Sequence, residues 1–97
     1  MLTKLEKRYL YLLNRHGGRA NHTRLTAATS RFKRKERERA LASLEALELI
    51  SSARDVPSGK GGFGGLVYWL TPVGAQTVTS MIDSGELKAP RLSALST

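Results

Sequence analysis

Arg31-Phe-Lys-Arg-Lys-Glu-Arg-Glu-Arg39 holds six cations and two anions in nine residues. Arginine offers a planar fork of donors that matches guanine O6 and N7, while lysine carries a compact charge suited to phosphate. The run continues into Ala40-Leu-Ala-Ser-Leu-Glu-Ala-Leu-Glu48, where Leu41, Leu44 and Leu47 recur at helical spacing. One helix over 31–48 would pack with its C-terminal half and present its N-terminal half to an acidic partner. Advancing about 100° per residue gathers Ala40, Leu41, Leu44, Leu47 and Arg37 on one side. Arg31, Lys35, Glu38, Arg39 and Ala42 fall on the other, with Arg34 at the border. Arg31, Arg34, Lys35, Glu38 and Arg39 are therefore the candidate groove face. The competing reading is a solvated helix surface, since Glu36 and Glu38 can pair with cations three or four residues away.

The charge balance supports the first reading. Sixteen Lys and Arg face eight Asp and Glu, a net charge of +8 over 97 residues. The excess is uneven: residues 1–20 carry five cations and one anion, and residues 21–48 carry seven and four. Residues 72–97 balance at two and two. An acidic partner for the N-terminal half follows, with double-stranded DNA the natural one. The absence of cysteine removes disulfides, thiolate nucleophiles and cysteine-based zinc sites. No apolar run approaches the roughly 20 residues of a membrane span. The N-terminus lacks the order of a signal peptide, so a cytoplasmic protein without membrane attachment is expected.

The elements that position the basic run follow from local patterns. Thr3-Lys-Leu-Glu6 has the capping-box spacing, and Leu2, Leu5, Tyr9, Leu12 and Leu13 share one helical face. His16-Gly17-Gly18 ends this helix, near 3–15. Residues 20–29 predict a short helix capped by Asn21, with Leu25 and Ala28 inward. Leu49–Arg54 and Leu66–Leu70 predict two strands joined by a glycine-rich loop over 55–65. Thr71-Pro72 opens a last helix with an apolar side of Val78, Met81 and Ile82, fading near Ser84-Gly85. One domain over 1–85 with a tail over 86–97 is expected. Val78, Met81, Ile82, Leu87, Leu92 and Leu95 exceed what one helix must bury, which points to a homodimer.

Further candidate contacts lie outside the basic run. Arg54 and Lys60 are the cations of the hairpin, and Arg24, with Thr23 and Thr26, can touch a phosphate backbone from the short helix. Gly59-Lys-Gly-Gly-Phe-Gly64 fits G-x-G-x-x-G, but a strand follows where a dinucleotide site needs a helix. A phosphate-binding P-loop fails because Gly61 follows Lys60. His16 and His22, without cysteine or clustered carboxylates, make a poor metal site. No nucleophile, base and orienting group assemble, so neither catalysis nor a cofactor is expected.

The order helix, helix, helix, strand, glycine-rich tip, strand, helix resembles the winged helix-turn-helix, an α+β fold. Leu44-Glu-Ala-Leu-Glu-Leu-Ile50 resembles the stretch where that family's recognition helix runs into its first wing strand. Tyr68-Trp-Leu-Thr-Pro-Val-Gly-Ala75 is similar to the Leu-Thr-Pro-x-Gly element of MarR-type and PadR-type transcriptional regulators. Those relatives usually carry glycine where Glu48 stands, and full-length MarR-type proteins have long flanking helices that build their dimer. The resemblance implies that helix 31–48 reads the major groove and that the 54–65 wing contacts the backbone. It implies a sequence-specific regulator. A replication or mobile-element accessory protein, or a winged-helix protein–protein interaction module, are the alternatives.

Overall fold

The computed structural model describes residues 2–55 and 65–87. Lys60, the rest of the 56–64 loop, and Leu92 and Leu95 lie outside the described residues. The chain folds as α1 (Lys4–Arg15), β1 (Arg19–Asn21), α2 (His22–Ala28), α3 (Arg34–Ala46), β2 (Ile50–Asp55), β3 (Gly65–Leu70) and α4 (Pro72–Ser84).

Reciprocal capping starts α1: the Glu6 amide donates to the Thr3 hydroxyl at 3.2 Å, and the Thr3 amide donates to the Glu6 carboxylate at 2.7 Å. Burial pushes the Glu6 carboxyl up, but hydrogen bonds from Thr3 and Ser43 outweigh it and hold the group below the ordinary glutamate range. Leu5, Tyr9, Leu10, Leu12 and Leu13 are buried, so α1 is the central helix of the core and packs on both α3 and α4. At its end the Gly18 amide donates to Leu13 and the Gly17 amide to Asn14, with φ of 79° at Gly17. This paired return of amides to the last turn is the usual left-handed helix stop.

The chain leaves that stop directly into β1, a strand the sequence reading did not contain. Three residues are too few to show a period of two. Their extended form comes from β3, whose Trp69, Tyr68 and Val67 pair antiparallel with Arg19, Ala20 and Asn21. The sheet order is β1-β3-β2, with Ile50 opposite Leu70 and Arg54 opposite Leu66.

Asn21 caps α2 as expected, accepting from the Arg24 amide at 2.8 Å. Ala28 is exposed, contrary to expectation, and Thr29 takes the inward position four residues after buried Leu25. The fully buried Thr29 hydroxyl donates to the Leu25 carbonyl at 2.8 Å and lies 3.3 Å from the Tyr9 hydroxyl. A polar side chain can hold this place because its hydroxyl is hydrogen-bonded there.

α3 is shorter than the expected 31–48. Half-buried Phe32 packs against the core and its amide bonds to the Thr29 carbonyl, so Arg31 and Phe32 form a turn. The helix begins after Lys33, whose amide donates to Glu36 at 3.1 Å. It stops at Ala46 because Glu48 adopts φ of 61°. The Glu48 amide then reaches the Glu45 carbonyl and the Leu49 amide the Leu44 carbonyl, both Leu44 and Leu49 being buried. Leu47 keeps helical backbone angles at the edge of the buried side but is 53% exposed, and not in the core as its spacing suggested.

The start of α4 closes on the same peptide groups. The Thr71 amide donates to the Leu49 carbonyl at 3.1 Å, and the Thr71 hydroxyl donates to the Glu48 carbonyl while accepting from the Gly74 amide. A Cβ at Gly74 would overlap the Leu49 carbonyl oxygen and come within 2.8 Å of its carbon. The Leu-Thr-Pro-x-Gly element is thus a clasp between α4 and the end of α3. Beyond α4, buried Leu87 donates its amide to Met81 at 3.1 Å, and Glu86 meets Lys7 at 3.4 Å. Leu87, Val78 and Met81 fill this chain's own core and are not surplus apolar surface.

Two substitutions here should have signs opposite to those that helix propensity gives. Glu48→Gly should stabilise the domain by about 1 kcal/mol by relieving the left-handed backbone. Gly74→Ala should destabilise it by about 1–3 kcal/mol or more through overpacking. Urea unfolding followed by circular dichroism measures both; a stabilised Gly74→Ala would contradict the clasp.

Candidate nucleic-acid interface

α3 divides along its length and around its axis. Ala40, Leu41 and Leu44 are buried, and Arg37 lies half-buried on the same side with its Nε unpartnered. Burial raises the Tyr9 hydroxyl above the ordinary tyrosine value, and the hydrogen bond with Thr29 and, less, the neighbouring Arg37 guanidinium offset only part of this. This side of α3 is structural.

The opposite side is exposed at Lys35, Glu38, Arg39 and Ala42, as the helical phase predicted. Ala46 continues the stripe and is also exposed. From Lys35 to Ala46 the stripe runs roughly 16 Å along the axis. Its first turns carry cations; its last turns carry the methyl groups of Ala42 and Ala46, with exposed Glu45 beside them in line with Glu38 and accepting from the Ser52 hydroxyl at 3.0 Å. Small residues there leave the surface beside the cations low and open. The sequence reading included Ala42 on this side but missed Ala46, which the same phase would have shown.

Arg34 is the first residue of α3, and its Nε lies 3.1 Å from Glu38. The pair faces solvent, where such an ion pair contributes about 0.3–0.5 kcal/mol. It therefore restrains Arg34 weakly and leaves the guanidinium available to a stronger acceptor. Exposed Lys33 precedes it as the residue that caps α3, and not as part of the helix as expected.

The other predicted contacts are distributed over the fold. Arg24, beside the Asn21 cap of α2, is exposed, as is Arg54 on β2. Arg31 is exposed but belongs to the turn before α3, where it shares an open groove with Lys4, Lys7 and Arg8 of α1. Those three cations entered the sequence reading only as net charge. Lys60 lies outside the described residues. His16 caps α1 at its C-terminal end, and exposed His22 stands 6.1 Å from the Tyr68 ring, centroid to centroid. Among the described residues no group of three His, Asp or Glu could hold a metal.

The arrangement of elements is shared with solved proteins. The adhesin competence repressor AdcR from Streptococcus pyogenes aligns over 88% of this chain with a TM-score of 0.66 and 18% identity. ZitR from Lactococcus lactis aligns over 88% with a TM-score of 0.67 and 19% identity. The fold is a winged helix. The chain spans 57% of AdcR and 53% of ZitR, little more than half the length of either. No family model and no curated protein matches the sequence. The wing is therefore the β2–β3 hairpin, and β1 is the third strand that fastens it to the helices.

Arg39 and Leu44 separate the two sides of α3. Arg39→Ala should change stability by less than about 0.5 kcal/mol, as surface substitutions do. If Arg39 forks onto a guanine, the same change should weaken specific DNA binding by about 1–3 kcal/mol. Leu44→Ala should destabilise the winged helix by roughly 2–5 kcal/mol through the cavity it opens. Thermal melts beside gel shifts read both effects. Unfolding by Arg39→Ala with a silent Leu44→Ala would reverse the assignment of the two sides.

Proposed function

We propose that this winged helix is a sequence-specific double-stranded DNA-binding protein acting as a transcriptional regulator, and not an enzyme. The observation that carries the reading is the exposed α3 stripe of Lys35, Arg39 and Ala42, with Arg34 at its edge, opposite a buried side that fixes the helix in place. A major groove about 12 Å wide admits one helix, and this one brings arginine and lysine at its leading end. Arg24 from α2 and Arg54 from the wing would contact the backbone on either side, with Lys60 as the further wing cation. AdcR, of like fold, is a repressor, which agrees with a regulatory role.

A homodimer is the common way for such a domain to read a two-fold site. Val78, Met81 and Leu87 are taken up by the core, so a dimer of this chain would use other surface. Among the described residues no helix is long and apolar enough to cross a membrane.

Binding should depend steeply on salt. About six phosphate contacts would lower duplex affinity about 10³-fold between roughly 50 and 200 mM salt. Fluorescence anisotropy with a labelled duplex at both salts tests this. Equal affinity at the two salts, or no binding at the lower one, would contradict the proposal.

A further inference from the structure

The α3 stripe leaves a second basic feature unused. Lys4, Lys7, Arg8 and Tyr11 recur at helical spacing on α1 and form one wall of an open groove. Arg31 and Phe32 in the turn before α3 line it as well, as does Leu87 beyond α4. The groove encloses about 760 Å³ and lies away from the stripe, since none of Arg34, Lys35 and Arg39 lines it.

Its chemistry is mixed in a particular way. Half-buried Tyr11 and Phe32 and buried Leu87 give its lining an apolar part, while four cations and a single carboxylate, Glu86, share that lining. Arg8 lies over the Tyr11 ring at 5.7 Å, holding a charge directly above an aromatic face. Glu86 already sits at the rim against Lys7, at 3.4 Å. Among the described residues no carboxylate pairs with Lys4, Arg8 or Arg31.

We propose that this groove docks an acidic segment of a partner protein, one with aromatic or branched apolar side chains set among its carboxylates. Charge complementarity selects the occupant. The rim carries a surplus of three cations, and Glu86 shows a carboxylate in the position the partner's would take. The apolar part of the lining distinguishes this partner from a duplex backbone, which carries phosphate but no apolar side chain to set against Tyr11, Phe32 and Leu87. Apolar anchors in the centre and ion pairs at the rim are the ordinary division of labour in such contacts.

The test uses the full chain and three fluorescein-labelled probes. One is a synthetic peptide alternating Asp and Glu with Phe and Leu, the second a polyglutamate peptide of equal length, and the third a random-sequence duplex. The apolar-acidic peptide should bind saturably and at least about tenfold more tightly than polyglutamate, a difference of about 1.4 kcal/mol. The double variant Lys4→Gln, Arg8→Gln replaces two exposed side chains and should keep the circular dichroism of the parent. It should weaken the peptide about tenfold and the duplex by less than about threefold, because rim charges act on their own partner. Three results would each overturn the proposal: no peptide binding, polyglutamate binding as tightly as the mixed peptide, or a duplex affinity that falls as far as the peptide's. Duplex binding by the parent chain is read in the same plate, so a failure of the groove is distinguished from a failure of DNA binding.

Discussion

The peptide groups of Glu48 and Leu49 hold this fold together. Within two residues the chain ends α3, starts the wing and receives α4. The Leu49 amide closes the last turn of α3 on Leu44, while its carbonyl accepts the Thr71 amide. The Glu48 carbonyl accepts the Thr71 hydroxyl, and Gly74 leaves room for the Leu49 backbone to lie against α4. Every one of these bonds is made to main chain, so their geometry does not depend on a long side chain finding its rotamer. The unfavourable left-handed backbone at Glu48 is the cost of bringing three elements to one point.

That junction matters because α3 has so little else to define its direction. It buries only Ala40, Leu41 and Leu44, and its N-terminal half is nearly all charge. Six cations within 31–39 repel one another, and the solvent-facing Arg34–Glu38 pair offsets little of this. The helix is therefore held from its far end and from one side, leaving the charged turns projecting. Such a helix gains most when a polyanion approaches it, which links the packing asymmetry to the proposed DNA reading.

Much of this was legible in the sequence because it is encoded locally. The Thr3–Glu6 box, the Asn21 cap and the Thr71-Pro72 start each need only three or four neighbouring residues, and all three stand as read. With the basic third helix and the two predicted strands they give the element order that resembles the winged helix. What was not legible depends on distant partners. β1 is a strand only because β3 lies beside it, and Phe32 breaks the helical phase because a core position accepts its ring. Leu47 has the spacing of a core leucine, but it stands at the edge of the buried side of α3 and is exposed. The candidate site shows the same split: Lys35, Glu38 and Arg39 keep their exposed side because the phase of one helix fixes it. Arg31 moved to another surface, since a single aromatic residue ended the phase before it.

The central claim is that DNA meets the outer stripe of α3 while the junction behind it stays intact. Titrating nitrogen-labelled protein with a duplex at low salt and following the backbone amides by NMR tests this most directly. The largest shifts should fall on Arg34, Lys35, Glu38, Arg39 and Ala42, with Leu49, Thr71 and Gly74 nearly unmoved. Shifts gathered on α4 or on the α1 groove, with the α3 stripe silent, would contradict the account.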